Sequence, residues 1–389
     1  MYFEFVNKTK VCAGKNALSQ LEYECQQYHM KHPLILTDDV LYKLKYVDII
    51  TKHLTLEISL FTNIPVDSSI HTIEEIKDYY IKEQCDGIIA LGGGSVLDTA
   101  KGVYLMLSQD CQSIEDILGF EDIPLGKDIP FFAIPTTSGT GSEATCVAVV
   151  SHPEKKVKLE IISQHIQSHV AFLDPVLTQN LPIKTTVSTG IDALTHAIEA
   201  YTCSQKNPIS DGYAISAIRT ISQNILEILE HPKDADIRLN LALASYEAGC
   251  SFSNSMVGIV HAIGHALGAV CHIPHGDAMS MLLVPCMRYN LDVNKDLYAD
   301  LLLYLGQIDL YTQTPKDQLG EKAIDYITSL LQTLHEKAAL PISLQSIENL
   351  NDNIDEIVEK ALNDGALIVN NKYASKQDIR NILEGHYGY

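Results

Sequence analysis

Four side chains in two short stretches, and a fifth soon after them, have the types and spacing for metal chemistry. Gly190–Tyr201 reads G-I-D-A-L-T-H-A-I-E-A-Y, and Gly258–Ala269 reads G-I-V-H-A-I-G-H-A-L-G-A. Asp192 and His196 stand at i and i+4, so on an α-helix both project from one face. His261 and His265 repeat that spacing, and His275 follows in I-P-H-G-D after a turn at Pro274. Around the first pair, Ile191, Leu194, Ala197, Ile198 and Ala200 are apolar or small. A carboxylate and an imidazole are costly in such a setting unless paired or ligated. A divalent ion satisfies both, and one carboxylate among several imidazoles suits Fe²⁺ or Zn²⁺ better than Mg²⁺ or Ca²⁺. A lone Asp/His pair is more often a hydrogen-bonded core pair. Two i, i+4 pairs and a further histidine move the balance toward a metal, and spacing alone goes no further.

The elements that must position these residues fall in two textures. Up to residue 180, short apolar runs alternate with helical patterns. The strand candidates are Pro33–Thr37, Thr55–Phe61, Gly87–Leu91, Ile129–Pro135 and Val170–Leu173, and the helix candidates are Ile73–Glu83 and Ser95–Leu107. Strands alternating with helices predict a parallel sheet covered on both faces. From Leu181 onward strand-like runs vanish. Amphipathic stretches follow one another over Lys184–Tyr201, Ser210–Glu230, Ala235–Phe252 and Val257–Ala269, with Asn207-Pro208 as a cap and first helical position. The expected organisation is an α/β domain over 1–180 and an all-helical domain over 181–389.

Two loops of the first domain suit a phosphate-bearing ligand. Leu91–Lys101 reads L-G-G-G-S-V-L-D-T-A-K between a strand and a helix. Its glycines admit close backbone approach, Ser95 can cap the helix, and the exposed amides with the helix dipole favour a pyrophosphate. It is neither G-x-G-x-x-G nor a P-loop. Pro135–Thr145, P-T-T-S-G-T-G-S-E-A-T, follows the next strand, so both loops are expected on the edge formed by the strand carboxyl ends. Asp38 follows Pro33–Thr37. A carboxylate there can accept from a ribose hydroxyl and repel a 2′-phosphate, which favours NAD over NADP. It can equally cap a helix, and Asp39 stands beside it.

Composition narrows the class. The net charge of −21 argues against a nucleic acid or an anionic membrane as partner. Nine scattered cysteines without a C-x-x-C pair point to free thiols in a reducing compartment. No apolar run approaches the roughly 18 residues of a membrane span, and the N-terminal M-Y-F-E-F-V-N-K-T-K lacks a signal peptide's apolar core. A cytoplasmic protein is expected.

Taken together, these segments resemble the iron-containing (group III) alcohol dehydrogenases along nearly the whole chain. The carriers are L-G-G-G-S-V-L-D-T-A-K, P-T-T-S-G-T-G-S-E-A-T, F-L-D-P at Phe172–Pro175, G-I-D-A-L-T-H-A-I-E-A-Y, F-S-N-S-M-V-G-I-V-H-A-I-G-H-A-L-G ending at Gly268, and P-H-G at His275. The resemblance implies a Rossmann-like N-terminal domain with a parallel sheet and an all-α C-terminal domain, an architecture shared with dehydroquinate synthase, with the site in the cleft between. It implies Asp192, His196, His261 and His275 as metal ligands, Fe²⁺ before Zn²⁺, and His265 near the nicotinamide as proton relay or orienter. Gly93, Gly94, Ser95 and Asp98 match pyrophosphate and ribose contacts. Thr136, Thr137 and Thr145 match the cofactor lining, Lys158 a ribose contact, and Leu177 a leucine on the adenosine side. Asp38 matches the NAD-selecting position.

The implied activity is hydride transfer between NAD(H) and a small alcohol or aldehyde. Val147 and Phe252 fall on the substrate side, and both are apolar. An acidic substrate would need an arginine such as Arg219, Arg238 or Arg288 to reach the cleft. A sugar-phosphate cyclase needs more cations than the Lys184, Lys206, Arg219, Lys233 and Arg238 of residues 181–280. A metal- and nucleotide-binding sensor without turnover is the third reading, and the complete ligand set argues against it. A homo-oligomer, at least a homodimer, is expected through the N-terminal domain edge, where Tyr2–Val6 and Val11–Ala13 alternate like edge strands. Two departures stand out. The family's proline-asparagine-proline-threonine is here Pro65-Val66-Asp67-Ser68, bearing on one cofactor contact. Its asparagine-proline-arginine is Asn371-Lys372-Tyr373, with looser C-terminal packing expected.

Overall fold

The apolar runs of the first half form strands because helices cover both faces of their sheet and leave no side for polar residues. A computed structural model describes residues 2–67, 69–117, 123–153 and 157–387 of the chain. The chain divides into two compact units. One is Val6–Asn180; the other is Leu181–Tyr389 with the N-terminal residues through Phe5.

The first unit contains strands β1 (Lys10–Ala13), β2 (Pro33–Leu36), β3 (Ser59–Phe61), β4 (Gly87–Gly92), β5 (Phe131–Pro135), β6 (Val147–His152), β7 (Val157–Ile162) and β8 (Val170–Leu173). Six of them make one parallel sheet in the order β1-β8-β5-β4-β2-β3. Alternate residues serve opposite faces. Leu34, Leu36, Ile88, Ala90, Phe131 and Ala133 pack with the helices Ile70–Lys82 and Gly94–Gln109. Ile35, Ile89, Leu91, Phe132 and Ile134 pack with Leu21–Gln27 and Tyr46–Thr51. The chain runs from β2 outward to β3, then returns to β4 on the other side of β2. That reversal is the topological switch point at which open parallel sheets bind ligands. Asp38 leaves β2 and Gly93 leaves β4 at that place.

Two expectations need correction here. The run Thr55–Phe61 yields only a three-residue strand, Ser59–Phe61. Tyr2–Val6 forms no strand, and of the two segments expected at the edge only Val11–Ala13 is one, within β1, which pairs on one side with β8. The antiparallel hairpin β6–β7 was not anticipated; burial alternates along β6.

Among its described residues the second unit contains helices and no strand. Its axis is the helix Ile183–Thr202, in which every residue from Gly190 to Thr202 is buried. A helix buried all round along this stretch belongs inside a bundle, and Pro208–Asn224, Ala235–Phe252, Ile259–Cys271 and His275–Tyr304 surround it. Asn207 starts its helix with a capping box, accepting from the Ser210 amide at 3.0 Å. The stretch expected as one helix over Ser210–Glu230 is two, Pro208–Asn224 and Glu227–Glu230. The C-terminal departure does not loosen the packing. Asn371 donates to the Thr202 carbonyl and the Asn294 side chain, both at 2.7 Å, and Lys372 bonds the Tyr289 carbonyl and Asp292, both at 2.9 Å. No helix among the described residues is long and apolar enough to cross a membrane.

Candidate metal centre and glycine-rich turn

Three helices carry the Asp/His cluster. Asp192 and His196 lie mid-helix in Ile183–Thr202, His261 is in the first turn of Ile259–Cys271, and His275 opens His275–Tyr304 after Pro274. Close approach at Gly276 seats the third helix: a Cβ there would meet the Ser188 carbonyl oxygen at 2.7 Å. One ligand atom from each of Asp192, His196, His261 and His275 lies within 4.8 Å of the others.

The cluster fits an ion on two counts. Asp192 Oδ1, His196 Nδ1 and His261 Nε2 are buried without a hydrogen-bond partner. Each orphan of that kind costs about 1–3 kcal/mol, and three facing one point define a common missing partner. The spacing agrees. From Asp192 Oδ1 it is 3.3 Å to His275 Nε2, 3.7 Å to His196 Nδ1 and 3.9 Å to His261 Nε2. Donors about 2.1 Å from a tetrahedral ion stand about 3.4 Å apart. Burial pushes His196 down to about 3 and His261 well below its ordinary value, so both imidazoles are neutral, as ligation requires. Burial also opposes the Asp192 charge, but the facing imidazoles outweigh it and hold the carboxyl below its usual range.

Around this cluster stand three further groups. Phe252 stacks on His196, with ring centroids 4.3 Å apart. The His265 ring stacks on His275 with centroids 5.5 Å apart, and its Nδ1 lies 2.9 Å from Asp364 Oδ2. Glu199 is buried, with Oε2 2.6 Å from His261 Nδ1 and Oε1 accepting from the Val260 amide at 2.8 Å. Burial pushes the Glu199 carboxyl up to about 7, against the pull of the amides of Gly258, Val260 and His261. Sequence reasoning missed Glu199 and Asp364. For Glu199 a signal existed, since it stands at i+7 from Asp192 on the same helix face. Asp364 offered none.

Arginine is absent from the cluster. Arg238 is buried as a structural tie, donating to Thr186 Oγ1 at 2.7 Å, the Pro232 carbonyl at 2.7 Å and the Leu181 carbonyl at 3.2 Å. Arg219 is exposed and Arg288 half-buried.

In the first unit the two hydroxyl-rich loops leave adjacent strands side by side. Gly92 is level with Pro135, and the Thr136 amide donates to the Gly92 carbonyl at 3.0 Å. Thr137 Oγ1 lies 3.4 Å from where a Gly93 Cβ would be. Gly93, rather than Ser95, is the N-cap of Gly94–Gln109, and no side chain caps that helix. The first-turn amides of Gly94 and Ser95 therefore have no intrahelical partner. Asp98 is committed internally, accepting from Ser142 Oγ at 2.6 Å and the Val149 amide at 3.0 Å. Thr145 Oγ1 accepts from Lys101 Nζ at 2.8 Å, and the Val147 carbonyl accepts from the same ammonium at 2.6 Å. Lys158 is paired with Asp67 at 2.8 Å, within the departing Pro65–Ser68 stretch, whose Ser68 lies outside the described residues. Leu177 is wholly buried in the core shared by Ile35, Ile89 and Phe132. Asp38 does cap a helix, accepting from the Leu41 amide at 2.8 Å through Oδ1, while Asp39 pairs with Lys43 on the surface.

Within the second loop Glu143 is buried, and burial pushes its carboxyl up to about 7 from 4.5. Between those values the folded protein keeps a proton that the unfolded chain has lost, so stability falls as pH rises through this window. The loss amounts to about 3 kcal/mol at 1.36 kcal/mol per unit. Glu143→Gln should remove it. The variant's thermal midpoint is expected to fall less than wild type's between pH 5 and pH 8; parallel profiles would contradict the assignment.

Comparison with known proteins agrees with this geometry. Residues 8–175 match the family model "Iron-containing alcohol dehydrogenase", and residues 186–387 match "Fe-containing alcohol dehydrogenase family, C-terminal". The chain is 31% identical over 382 residues to the NADPH-dependent butanol dehydrogenase of Clostridium saccharobutylicum, covering 96% of this chain and 95% of that protein. It is 30% identical over 374 residues to the NAD-dependent methanol dehydrogenase of Bacillus methanolicus, covering 95% and 96%. The crystal structure of a 1,3-propanediol oxidoreductase superposes with a TM-score of 0.92 at 32% identity over 99% of both chains. With both halves matched and relatives alike from end to end, the chain belongs to the iron-containing alcohol dehydrogenase family.

Proposed function

We propose that this chain is a metal-dependent, NAD(H)-linked alcohol dehydrogenase that interconverts a small primary alcohol and its aldehyde. The observation that carries the reading is the set of three partnerless buried donors facing one point, Asp192 Oδ1, His196 Nδ1 and His261 Nε2, with His275 Nε2 beside them. These four residues would hold the ion. When bound, a divalent ion there acts as a Lewis acid toward the alcohol or carbonyl oxygen, and the nicotinamide accepts or returns the hydride. Fe²⁺ is favoured over Zn²⁺ on family grounds.

This chain's own residues do the rest. Asp192 supplies the one negative charge of the set, neutral His196 and His261 supply lone pairs, and His275 Nε2 completes it. His265 donates its Nδ1 proton to Asp364; burial pushes that carboxyl up, but the hydrogen bond and charge of His265, with the Ala366 amide and His261, together hold it below its usual range. That contact fixes the ring and directs proton exchange with substrate through Nε2. Phe252 gives the His196 side an apolar wall, and the internal bonding of Arg238 leaves it unavailable to an anionic substrate. At the other site, the open amides of Gly94 and Ser95 would bind the cofactor pyrophosphate, with Thr136 and Thr137 beside them. Nine free cysteines support a cytoplasmic location, and the edge strand β1 supports a homodimer.

The test is an anaerobic assay of NADH oxidation with short-chain aldehydes and added Fe²⁺ or Zn²⁺. Turnover is expected with Fe²⁺, lost in air and restored by Fe²⁺ but not Zn²⁺. Absence of turnover with every aldehyde and both metals would sink the reading.

A further inference from the structure

We propose that Glu199 is the positioning residue that sets the tautomer and aim of His261, and that Gly258 exists to seat it. Glu199 is fully within the helical unit, and both of its oxygens accept from the start of Ile259–Cys271. Oε1 takes the Val260 amide at 2.8 Å, and Oε2 takes the His261 amide at 3.4 Å and lies 2.6 Å from His261 Nδ1. As a carboxylate Glu199 can only accept, so opposite it the ring proton sits on Nδ1 and the lone pair on Nε2. Nε2 is the atom left without a partner, 3.9 Å from Asp192 Oδ1. A carboxylate behind a metal-binding histidine orients the ring and raises its basicity.

Gly258 is the N-cap of that helix, and a Cβ on it would meet Glu199 Oε1 at 2.9 Å and Asn370 Oδ1 at 3.2 Å. The obstructed atom is the end of a flexible side chain, so Gly258→Ala would move the Glu199 carboxylate without removing its charge. Behind Glu199 there is somewhere for it to go. Thr202, Asn290, Tyr298 and Asn370 line a small cavity with about 10 Å³ of room for water centres, on the scale of a single water.

Glu199→Gln tests the tautomer directly. The oxygen of the amide must face the Val260 N–H, which forces its NH₂ toward His261. There it donates to Nδ1, moves the ring proton to Nε2 and blocks the ligating lone pair. The proposal rests on the reading of the Asp192, His196, His261 and His275 cluster as a metal site. The measurement is Co²⁺ affinity of the full-length apoprotein by chelator competition, read with the visible spectrum of the bound ion and the thermal midpoint without metal.

Wild type binding no Co²⁺ would overturn the metal reading itself. With wild type binding, Glu199→Gln and Gly258→Ala are each expected to weaken Co²⁺ binding about 10–100-fold, with metal-free midpoints near wild type. Affinities within twofold of wild type in both variants would overturn the role of Glu199 and leave the metal site standing. If Glu199→Gln does not fold, Gly258→Ala decides alone. A loss of affinity accompanied by a matching collapse of the metal-free midpoint in both would make Glu199 a helix cap only.

Discussion

His261→Ala and His275→Ala should each empty the metal centre and lower kcat/KM about a thousandfold or more. The size follows from what disappears. A Lewis acid contributes several kcal/mol of charge stabilisation in the transition state, and each 1.36 kcal/mol is a factor of ten. Three remaining donors can hold an ion weakly, so occupancy must be measured beside turnover. The two variants should differ in stability. His261 is 2% exposed and its ring is 2.6 Å from Glu199, so its removal leaves a cavity and strips the buried carboxyl of its shortest contact. His275 is 37% exposed at a helix start, where water can replace it. The metal-free midpoint of His261→Ala should therefore fall well below that of His275→Ala. Metal analysis of the purified proteins decides the assignment: full occupancy with wild-type turnover in both variants would end it.

How much of this was legible follows from the range of each interaction. Spacing at i and i+4 reports which side chains share a helix face, and that placed Asp192 beside His196. The same spacing treated His261 and His265 alike, and they are not alike. His261 aims Nε2 into the cluster, while His265 turns to Asp364, ninety-nine positions away in sequence. No local pattern carries such a partner. Glu199 lay closer to reach, because i+7 returns to the same face, but a glutamate inside an otherwise apolar helix says nothing about what it bonds until the helix Ile259–Cys271 is packed against it.

The sheet was legible for a different reason. Strands buried on both faces are continuous apolar runs, and Pro33–Leu36, Gly87–Gly92 and Phe131–Pro135 are all buried along their lengths. The hairpin β6–β7 alternates buried and half-buried residues along β6. Its V-A-V-V-S-H and V-K-L-E-I-I runs therefore carry a weaker signal than the central strands do. Capping was legible where a side chain performs it, as at Asn207, and misread where a glycine stands alone, as at Gly93.

Asp38→Gly should shift cofactor preference from NAD toward NADP. Family membership leaves this open, since one relative is named NADPH-dependent and another NAD-dependent. Asp38 leaves β2 at the switch point, beside the strand that delivers the glycine-rich turn. Its Oδ1 is taken by the Leu41 amide, which fixes the side chain and leaves Oδ2 to accept from a ribose hydroxyl. A charge-assisted bond of that kind is worth about 1.5–3 kcal/mol. In NADP a phosphate occupies the same place and meets the carboxylate charge. At 1.4 kcal/mol per decade, a preference for NAD of about tenfold or more follows. Replacing the cap by glycine costs only a few tenths of a kcal/mol, so the variant should fold and the ratio can be read. Asp39 is the control. It is already paired with Lys43 on the surface, and Asp39→Gly should leave the ratio unchanged. The measurement is kcat/KM with NADH and NADPH for wild type and both variants. Asp38→Gly is expected to raise the NADPH value and lower the NADH value. A shift confined to Asp39→Gly would make the neighbour the reader, and no shift in either would place the selection of the ribose elsewhere in the first unit.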